Sequence, residues 1–466
     1  MPFAGLILAA GMSKRMKSSL PKVLHKVNGL TVIDHVISNL QKAGCDRIAT
    51  VVGHMGEAVS EHIEGRSEIF WQHERLGTAH AVMQAKGLLE TYKGTILVVP
   101  GDVPATKPST IRRFIDAHTS GGYAASVLSM ELEDPAAYGR VVRDGFGEFT
   151  DIIEYKDASD AVREIREVST GIIAFESEAL ADALRYIGND NAQGEYYLTD
   201  AIKVLYQAGH PIGASVLEDP DEGIGINSRQ ELAQAQKILG TRKLQELMAS
   251  GVSVVSPDNT FVEEEVEVGQ DTVLHPFTIL YGRTVIGTDC VIGPGTTVES
   301  SVVEKGSEVC HSFIRDCRVG PSCKVGPYAY IRPGTVLGEG AKAGSFVEIK
   351  NSNIGAGSKV PHLSYVGDTD MGSGVNIGCG TVVCNYDGFR KHRTVIEDDA
   401  FVGSNTNLVA PVRVGRGSYI ATGSTVTREV PEGALAVARA RQENKEGWVE
   451  RKKAQLKAEK ESQGGR

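Results

Sequence analysis

The chain has 466 residues, which is too long for one compact core and predicts roughly two or three domains. Its net charge of −10 argues against general nucleic-acid binding, which requires a basic surface. No apolar run approaches about 20 residues and the N-terminus lacks a basic, signal-like region, so we expect a cytoplasmic protein without a membrane span. The seven cysteines include no C-x-x-C pair, so neither a disulfide framework nor a zinc ribbon is indicated.

The first half of the chain alternates strand-like and helix-like segments. The apolar run Ala4–Ala10 predicts a buried strand, and Thr31 is placed to cap a helix. We expect further strands at Arg47–Gly53 and Thr95–Pro100, with a helix at Gly77–Glu90 between them. This alternation predicts an α/β domain with a mostly parallel sheet, whose ligands lie outside the C-terminal ends of the strands.

The pattern changes after residue 227. Residues 228–250 are rich in Gln, Leu, Ala, Lys and Glu, which predicts a linker helix between domains at 1–227 and 251–466. From Gly251 onward, aliphatic residues recur with a period of six, as in the hexapeptide repeats of a parallel β-helix. The repeating aliphatics are Val262, Val268, Leu274, Leu280, Ile286, Ile292, Val298, Val319, Val325, Ile331, Leu337, Ile354, Val360, Val366, Ile396, Val402, Leu408, Val414, Ile420 and Val426.

Two segments of the second half depart from this period. The repeat breaks at Asn385–Arg393, where we expect a loop that leaves the coil. The last 25 residues are rich in Lys and Glu, and they predict a solvated helix or a disordered tail.

A phosphate-binding turn is indicated directly after the first predicted strand. The run Leu8-Ala9-Ala10-Gly11 brings small residues to the strand end, where backbone N–H groups can cradle a phosphate. Arg15 and Lys22 follow and are suited to neutralise phosphate charge. This string resembles the signature of sugar-1-phosphate nucleotidylyltransferases, with Ser13 where that family usually has a second Gly.

The resemblance implies where the nucleotide base and the metal bind. Gln72 and the pair Gly77-Thr78 match the base-reading segment, and a Gln amide offers one donor and one acceptor to uracil. Asp102 follows a buried strand, where a carboxylate beside a triphosphate is well placed to bind Mg²⁺. By resemblance, Asp102 and Asn227 are the two metal ligands, and UTP is the nucleotide.

The family's sugar-contacting segments also have counterparts in the first half. The segments Tyr138-Gly139-Arg140 and Ile153-Glu154-Tyr155-Lys156 resemble two of them, and the run Asn191–Asp200 resembles a third. The resemblance implies sugar-binding roles for Gly139, Glu154, Ser169, Thr199 and Asn227. Ser169 replaces the family's Asn, and Pro100 stands where the family often has Tyr.

The second half carries a further set of motifs in a fixed order. These motifs are Ile331-Arg332-Pro333-Gly334, Phe346–Lys350, His362–Tyr365, Asn376-Ile377-Gly378 and Cys384–Gly388. Together with the first half they resemble the bacterial bifunctional N-acetylglucosamine-1-phosphate uridylyltransferases/glucosamine-1-phosphate N-acetyltransferases, from Leu8 to about Trp448. The resemblance implies a Rossmann-like nucleotidylyltransferase domain, a linker helix and a left-handed β-helix. It also implies a homotrimer with acetyl-transfer sites between subunits.

Acetyl transfer to an amine requires a base, because an ammonium group is not a nucleophile. His362 can serve near neutral pH, and the carboxylate of Glu348 could orient it. By resemblance, the sugar phosphate is held by Arg332, Lys350, Tyr365 and Asn376. Acetyl-CoA is similarly assigned to Cys379, Asn385, Tyr386, Ser404, Thr422 and Arg439, with Thr422 in place of the family's usual Ala.

The resemblance implies two consecutive reactions. The second half would acetylate glucosamine 1-phosphate with acetyl-CoA, and the first half would transfer UMP from UTP to the product, releasing pyrophosphate and forming UDP-N-acetylglucosamine. One alternative is a monofunctional nucleotidylyltransferase, making ADP-glucose or GDP-mannose for instance, with a structural β-helix. A second alternative is a non-catalytic assembly or regulatory subunit, which the combination of Arg15, Lys22, Asp102 and Asn227 disfavours.

Overall fold

The structure is a computed structural model that describes residues 2–12 and 14–463, so Ser13 lies outside the described residues. The chain divides into two units. The first unit comprises Met1–Ala249 and Phe261–Glu265, and the second comprises Ser250–Thr260 and Val266–Arg466. In the described part of the chain, no helix is long and apolar enough to cross a membrane.

The first unit contains a sheet flanked by helices. Its elements are β1 (Ala4–Ala9), β2 (Lys26–Val27), β3 (Leu30–Thr31), α1 (Val32–Lys42), β4 (Arg47–Val52), α2 (Gly56–His62), β5 (Glu68–Trp71), α3 (Thr78–Gln84), α4 (Lys86–Thr91), β6 (Thr95–Pro100), α5 (Pro108–Ser120), β7 (Ala125–Glu131), β8 (Arg140–Arg143), β9 (Phe149–Ile153), α6 (Asp160–Arg163), β10 (Glu167–Glu176), α7 (Ser177–Ala183), α8 (Thr199–Gln207), β11 (Ile212–Val216) and α9 (Arg229–Ala249).

The sheet is mixed, with four parallel and four antiparallel strand pairs among the described residues, and the predicted parallel arrangement is found in its β6-β1-β4-β5 part and between β11 and β7. Its order is β11-β7-β10-β6-β1-β4-β5, and β8 joins β10 to β9. Strand β1 pairs in parallel with β4 and β6, whereas β10 runs antiparallel to β6 and β7. Because β1 and β6 are parallel neighbours, the turn after Ala9 and the turn after Pro100 lie at the same edge.

Most of the predicted elements match the structure closely. Helix α1 begins after Thr31, whose side chain forms a capping box with Asp34. The predicted helix at Gly77–Glu90 is wrong as a single element, because the chain forms α3 and α4 with a break at Ala85. The ψ angle of Ala85 is 39°, which interrupts the helical backbone while Ala85 and Leu88 both remain in the core.

Helix α9 packs through its middle turns against other elements of the first unit. Its Ala235 and Leu239 join a small apolar cluster with Met16, Val27 and Val32. Gln236 accepts a hydrogen bond from the backbone N–H of Asn28 at 2.6 Å. These contacts anchor the helix that follows Asn227.

The second unit is a left-handed parallel β-helix with three faces of short strands. The first face contains Ser253–Val254, Val273–Leu274, Val291–Ile292, Glu308–Val309, Lys324–Val325, Lys342–Ser345, Lys359–His362, Asn376–Ile377, Phe401–Val402, Tyr419–Ile420 and Leu435–Ala436. The second contains Ile279–Tyr281, Thr297–Glu299, Phe313–Arg315, Tyr330–Ile331, Glu348–Lys350, Tyr365–Gly367, Val382–Cys384, Asn407–Val409 and Thr425–Val426. The third contains Glu267–Val268, Val285–Ile286, Val302–Val303, Arg318–Val319, Val336–Leu337, Asn353–Ile354, Thr369–Met371, Thr394–Ile396 and Val412–Val414.

The aliphatics of the six-residue period fill the interior of the coil, as predicted. All of them are buried except Val268, which is partly exposed. Buried hydroxyl groups between them donate to carbonyl oxygens of the next coil, for example Thr272 Oγ1 to Gly287 O at 2.8 Å and Ser307 Oγ to Gly320 O at 2.8 Å. These bonds satisfy polar groups that burial would otherwise leave unpaired.

The two predicted departures from the period also have structural counterparts. The chain leaves the coil between Cys384 and Thr394, and this loop is closed by a bridge between Tyr386 and Lys391. A helix, α10 (Trp448–Gln463), ends the described chain, and its residues up to Ser462 are exposed. Of the two forms predicted for the C-terminal segment, the structure therefore has the solvated helix.

Candidate functional sites

The first unit contains a cavity of about 770 Å³ at the edge of the sheet where β1 and β6 end. Of the residues predicted for uridylyl transfer, those that line it are Leu8, Ala9, Ala10, Gly11, Lys22, Gln72, Gly77, Thr78, Asp102, Gly139, Glu154, Ser169 and Thr199. The sequence motifs come from widely separated segments, and the fold brings them around one space. The cavity has the size expected of a small-molecule site.

Lys22 connects the two predicted metal ligands. Its ammonium group forms an ion pair with Asp102 Oδ2 and donates to Asn227 Oδ1 at 2.8 Å. Lys22 lies in a short 3-10 turn after Pro21, and Asp102 lies in the turn after β6. Two oxygens from distant segments therefore converge on one positive charge.

The backbone around Asn227 is held by three hydrogen bonds. Gly225 N donates to the Tyr138 hydroxyl at 3.2 Å, and Ile226 N donates to Asp102 O at 2.9 Å. Asn227 N donates to Glu231 Oε2, in the first turn of α9, at 2.7 Å. Burial raises the pKa of Tyr138, which keeps its hydroxyl neutral. The position of the Asn227 side chain thus depends on α9 and on the Tyr138 segment.

The pair Asp102 and Asn227 fits a magnesium ion by its donor chemistry. A carboxylate and an amide oxygen already converge on one cation, the Lys22 ammonium, and Mg²⁺ prefers oxygen ligands. Within the described part of the chain there is no cluster of three or more His, Cys, Asp or Glu able to hold a metal. An ion at this pair would therefore draw its remaining ligands from phosphate oxygens and water.

The base-reading segment forms another wall of the cavity. Gln72 is buried, and its side-chain Nε2 donates to Gly77 O at 3.1 Å. Gly77 has a φ of +112°, and a Cβ there would lie 2.4 Å from Tyr196 O. Thr78 Oγ1 accepts from Leu198 N at 2.9 Å, so this segment is tied to the Asn191–Asp200 run.

The predicted sugar-binding residues Gly139, Glu154, Ser169 and Thr199 lie at the ends of β8 and β9, in β10 and at the start of α8. Thr199 Oγ1 donates to Glu154 Oε1 at 3.4 Å, and Ser169 N donates to Gly139 O at 2.9 Å. Burial raises the pKa of Glu154 above its usual 4.5, and nearby carboxylates including Asp157 add to this effect. The Ser169 hydroxyl accepts a hydrogen bond from Gly171 N at 3.2 Å, so this side chain also stabilises the local turn.

Two predicted residues of the first unit, Arg15 and Asn227, are not among the residues that line the cavity. Asn227 is connected to it through Lys22, whereas Arg15 has no such link among the described residues. Arg15 is exposed in a 3-10 turn, although its charge acts on the half-buried Tyr138. The structure therefore brings Lys22 into the cavity and leaves Arg15 outside its lining.

In the second unit, four predicted residues share neighbouring coils of the second face. Glu348 pairs with Tyr365 in register, and Lys350 pairs with Gly367. Arg332 N donates to Ile349 O at 2.8 Å, and the Arg332 guanidinium donates to Glu348 Oε1 at 2.6 Å. Among the described residues, Glu348 has no hydrogen bond with His362, so its carboxylate pairs with Arg332 in this structure.

His362 begins a column of predicted residues on the first face. Lys359, Asn376, Phe401 and Tyr419 are register partners in successive coils. Three residues after each of these positions come, in the same order, His362, Cys379, Ser404 and Thr422. These four residues therefore occupy equivalent positions in successive coils. His362 and Cys379 are both exposed. Arg439 Nη1 donates to Thr422 O at 3.0 Å, which adds the last predicted acetyl-CoA residue to this column.

Asn385 and Tyr386 begin the loop that leaves the coil. Asn385 is buried, and its side-chain Nδ2 lies 3.4 Å from the Tyr365 hydroxyl and 2.5 Å from Asp368 Oδ2. Tyr386 is exposed, and its hydroxyl donates to Gly388 O at 2.6 Å. Hydrogen bonds from the Arg390 backbone and the His392 side chain lower the pKa of Asp387 to about 2 and help to close the loop.

Three neighbours of these sites were missed in the sequence analysis. Glu231 lies three residues after Ser228, and this Ser-x-x-Glu pattern at a helix start is a detectable signal. His80 and Asp368 carry no comparable signal, because a single His between alanines, or a single Asp between Gly and Thr, has many structural uses. Their contacts became visible only in the folded chain.

Comparisons with known families cover both units. The family model described as a MobA-like NTP transferase domain matches residues 5–168. The model described as the GMPPB C-terminal domain matches residues 256–360, and the bacterial transferase hexapeptide model (six repeats) matches residues 393–428. The fold, the cavity and the repeats define a transferase with a nucleotidyltransferase unit and a hexapeptide β-helix.

Similar proteins span almost the whole chain. The bifunctional protein GlmU of Carboxydothermus hydrogenoformans is 48% identical over 445 residues, covering 96% of this chain and 99% of that protein. The GlmU of Alkaliphilus metalliredigens is 45% identical over 452 residues, covering 97% and 99%. The chain belongs to the bifunctional GlmU family. This membership confirms the predicted family, the fold class and an enzyme with uridylyltransferase and acetyltransferase activities in UDP-N-acetylglucosamine synthesis.

Proposed function

We propose that the first unit transfers UMP from UTP to N-acetylglucosamine 1-phosphate in the cavity around Lys22 and Asp102. The sugar-phosphate oxygen attacks the α-phosphorus, the bond to pyrophosphate breaks, and no protein nucleophile is required. Leu8–Gly11 and Lys22, which line the cavity, hold the phosphates, and Arg15 adds positive charge from outside the lining. Gln72, Gly77 and Thr78 bind the uracil, and the sugar contacts Gly139, Glu154, Ser169, Thr199 and Asn227. Positioning and charge stabilisation then supply most of the catalysis.

Mg²⁺ is proposed at Asp102 and Asn227. The support is the convergence of these two oxygens on a single cation in the structure. When bound, the ion neutralises charge on the phosphate oxygens. The hydrogen bonds from Gly225, Ile226 and Asn227 hold the ligand pair in place.

The second unit is proposed to acetylate glucosamine 1-phosphate with acetyl-CoA. His362 takes a proton from the amine, and the amine nitrogen bonds to the acetyl carbonyl carbon. The carbon–sulfur bond of the thioester then breaks, and the proton on His362 passes to the sulfur, so that CoA leaves as a thiol. Glu348 is proposed to orient His362, because Glu348 N donates to Ser364 O in the adjoining coil, two residues after His362. The column of Cys379, Ser404 and Thr422, with Asn385, Tyr386 and Arg439, is proposed to receive acetyl-CoA.

The phosphate of the sugar is assigned to Arg332, Lys350, Tyr365 and Asn376. Arg332 and Lys350 lie on adjacent coils, and their cationic groups face charged partners, Glu348 and Asp368. A bound phosphate competes with Glu348 for Arg332, so sugar binding and the release of the Glu348 carboxylate are coupled in this proposal.

Assembly and location complete the proposal. We infer a homotrimer of β-helices, because a solenoid with three flat faces and a column of exposed predicted residues is suited to self-association. The cytoplasm is the proposed location, because all seven cysteines are free and thiols stay reduced in that compartment.

One observation carries the proposal: the residues predicted for uridylyl transfer and those predicted for acetyl transfer lie in different units. Most of the first set line one cavity of the first unit. Two assays on one sample test it: pyrophosphate release from UTP and N-acetylglucosamine 1-phosphate, and CoA release from acetyl-CoA and glucosamine 1-phosphate. We expect Asp102→Ala to lose the first activity alone and His362→Ala to lose the second alone. A wild-type chain that releases pyrophosphate but no CoA would support the monofunctional alternative.

A further inference from the structure

The side-chain amide of Gln72 is held from inside the protein. Gln72 is buried in the wall of the uridylyl-transfer cavity, and its backbone N donates to Val52 O at 2.8 Å. Its side-chain Nε2 has two neighbours that can accept a hydrogen bond. They are Gly77 O at 3.1 Å and the ring nitrogen Nδ1 of His80, also at 3.1 Å.

These neighbours determine which way the amide faces. A backbone carbonyl can only accept a hydrogen bond, so the atom beside Gly77 O must be the amide nitrogen. The second amide hydrogen is then directed at His80 Nδ1, and Oε1 lies on the other side of the group. Among the residues that the structure describes, none donates a hydrogen bond to Gln72 Oε1. The side chain therefore presents an acceptor, and both of its donors are used within the protein.

His80 reaches Gln72 from behind the cavity wall. It lies in α3, is half-buried, and is absent from the residues that line the cavity. Its ring packs against the Tyr196 ring with centroids 6.5 Å apart. A neutral ring whose Nδ1 accepts from Gln72 carries its proton on Nε2, so it cannot also accept from the amide nitrogen of Gln84 at 3.2 Å. The Gln84 Nε2 donates instead to His80 O at 3.0 Å.

We propose that His80 is a positioning residue for base selection, which fixes Gln72 so that an acceptor faces the base. This inference rests on the proposed function, in which Gln72 reads the uracil. An acceptor at this point pairs with the imide N–H at position 3 of uracil, whereas cytosine has an acceptor at position 3. Without His80, the side-chain amide of Gln72 keeps only its hydrogen bond to Gly77 O and rotates more freely. Gln72 Oε1 then faces the base for only part of the time.

The test compares His80→Leu with His80→Asn in the full-length protein. The Asn side chain can place its oxygen near the position of Nδ1, so it restores an acceptor that Leu lacks. Pyrophosphate release is measured with UTP and with CTP, and kcat and KM are separated. His73→Leu is the matched control, because His73 is an exposed histidine that does not line the cavity. Urea unfolding of the first unit serves as the check on the folding of every variant.

We expect His80→Leu to lower the UTP/CTP ratio of kcat/KM by about tenfold, chiefly through a higher KM for UTP. His80→Asn should stay within about twofold of wild type, the same span as His73→Leu. Gln72→Leu is included to test the proposed function itself, and it should lose the preference for UTP. If Gln72→Leu loses the preference while His80→Leu keeps it, the role of His80 is refuted and the proposed function stands. If Gln72→Leu also keeps the preference, Gln72 does not read the base.

Discussion

At the scale of single residues, Glu154 shows how burial can be costly to stability. Its carboxyl group is largely removed from water in the cavity wall, close to other acidic side chains. Burial and these neighbours raise its pKa above the usual 4.5, so the folded chain holds this proton more firmly than the unfolded chain. The stability contributed by this group therefore declines as the pH rises from the unfolded pKa through the folded pKa.

We expect Glu154→Gln to raise the melting temperature of the first unit at pH 8 by about 2–4 °C, because a neutral amide avoids a buried charge. At pH 4, where wild-type Glu154 is largely protonated, the difference should vanish. Calorimetry at the two pH values measures this, with the exposed Glu61→Gln as the control. An equal gain at both pH values would contradict the assigned cause.

Asp368 is the second residue whose surroundings suggest a specific role. It is buried at a φ of +49° and accepts from Asn351 Nδ2 and Asn385 Nδ2, both at 2.5 Å, while Lys350 Nζ lies 3.6 Å away. Burial by itself raises the pKa of Asp368, but the hydrogen bonds from Asn351 and Asn385 outweigh this effect and hold the pKa below its usual value. The carboxylate therefore stays charged near neutral pH and fixes two of the predicted substrate-binding residues.

Asp368→Asn keeps the size of the side chain and suits the left-handed backbone, but it removes the charge. We expect CoA release to fall by about tenfold or more, because Lys350 and Asn385 lose their shared anchor, while pyrophosphate release is unchanged. Asp271→Asn is the matched control, since Asp271 is exposed and has a φ of +61°. Normal CoA release by the Asp368 variant would show that this anchor is dispensable.

At the scale of elements, the start of α3 depends on one close backbone approach. Gly77 precedes the helix at a φ of +112°, and the backbone of Tyr196 passes directly beside it. Tyr196 N donates to Leu76 O at 2.6 Å, and Ala79 N donates to Tyr196 O at 2.9 Å. The base-reading segment is therefore positioned by a chain segment more than a hundred residues away, as the Thr78–Leu198 bond also shows.

Gly77→Ala should destabilise the first unit by about 1–3 kcal/mol, because the added Cβ meets Tyr196 O and the φ is unfavourable for alanine. Pyrophosphate release should fall sharply while CoA release is retained. Urea unfolding and the two assays measure these effects. Gly188→Ala is the control, since its Cβ would meet nothing within 4 Å. Equal stability of the two variants would contradict the close approach.

Secondary structure was predictable where local patterns are strong. The bounds of β1, β4, β6 and α1 follow from apolar runs and from the Thr31 cap. The break at Ala85 was not predictable, because alanine favours helix and the interruption arises where Ala85 and Leu88 pack into the core. Local preference was overruled there by tertiary packing.

At the scale of the whole molecule, the two proposed activities belong to separate units with different needs. The first unit contains the oxygen pair of Asp102 and Asn227, which is suited to Mg²⁺. The proposed acetyl transfer uses a histidine base, cationic side chains and hydrogen bonds, and it requires no metal. The activities should therefore separate when divalent cations are removed.

We expect a chelator such as EDTA to abolish pyrophosphate release and to leave CoA release within about twofold of its starting value. Added Mg²⁺ should restore the lost activity, and Asp102→Asn should need more Mg²⁺ for half-maximal rate. Titration of Mg²⁺ in both assays provides the measurement. Loss of CoA release on chelation would place a metal in the second unit as well.

The sequence alone determined the architecture of this protein. A strict period of six makes every sixth residue face inward, so the β-helix, its interior and the loop at Asn385–Arg393 can be predicted without coordinates. The order of the motifs was likewise sufficient to predict the family. These features are local or periodic, and they do not depend on which distant segments meet.

Only the tertiary structure decided the pairing of functional side chains. Lys22 lies 80 residues from Asp102 and 205 from Asn227, yet one ammonium group contacts both. The direction of the Gln72 amide, the pairing of Glu348 with Arg332 and the anchor at Asp368 were similarly invisible in the sequence. Hydrogen bonds require atoms within about 3 Å, and such distances between remote residues are set by packing of the whole unit.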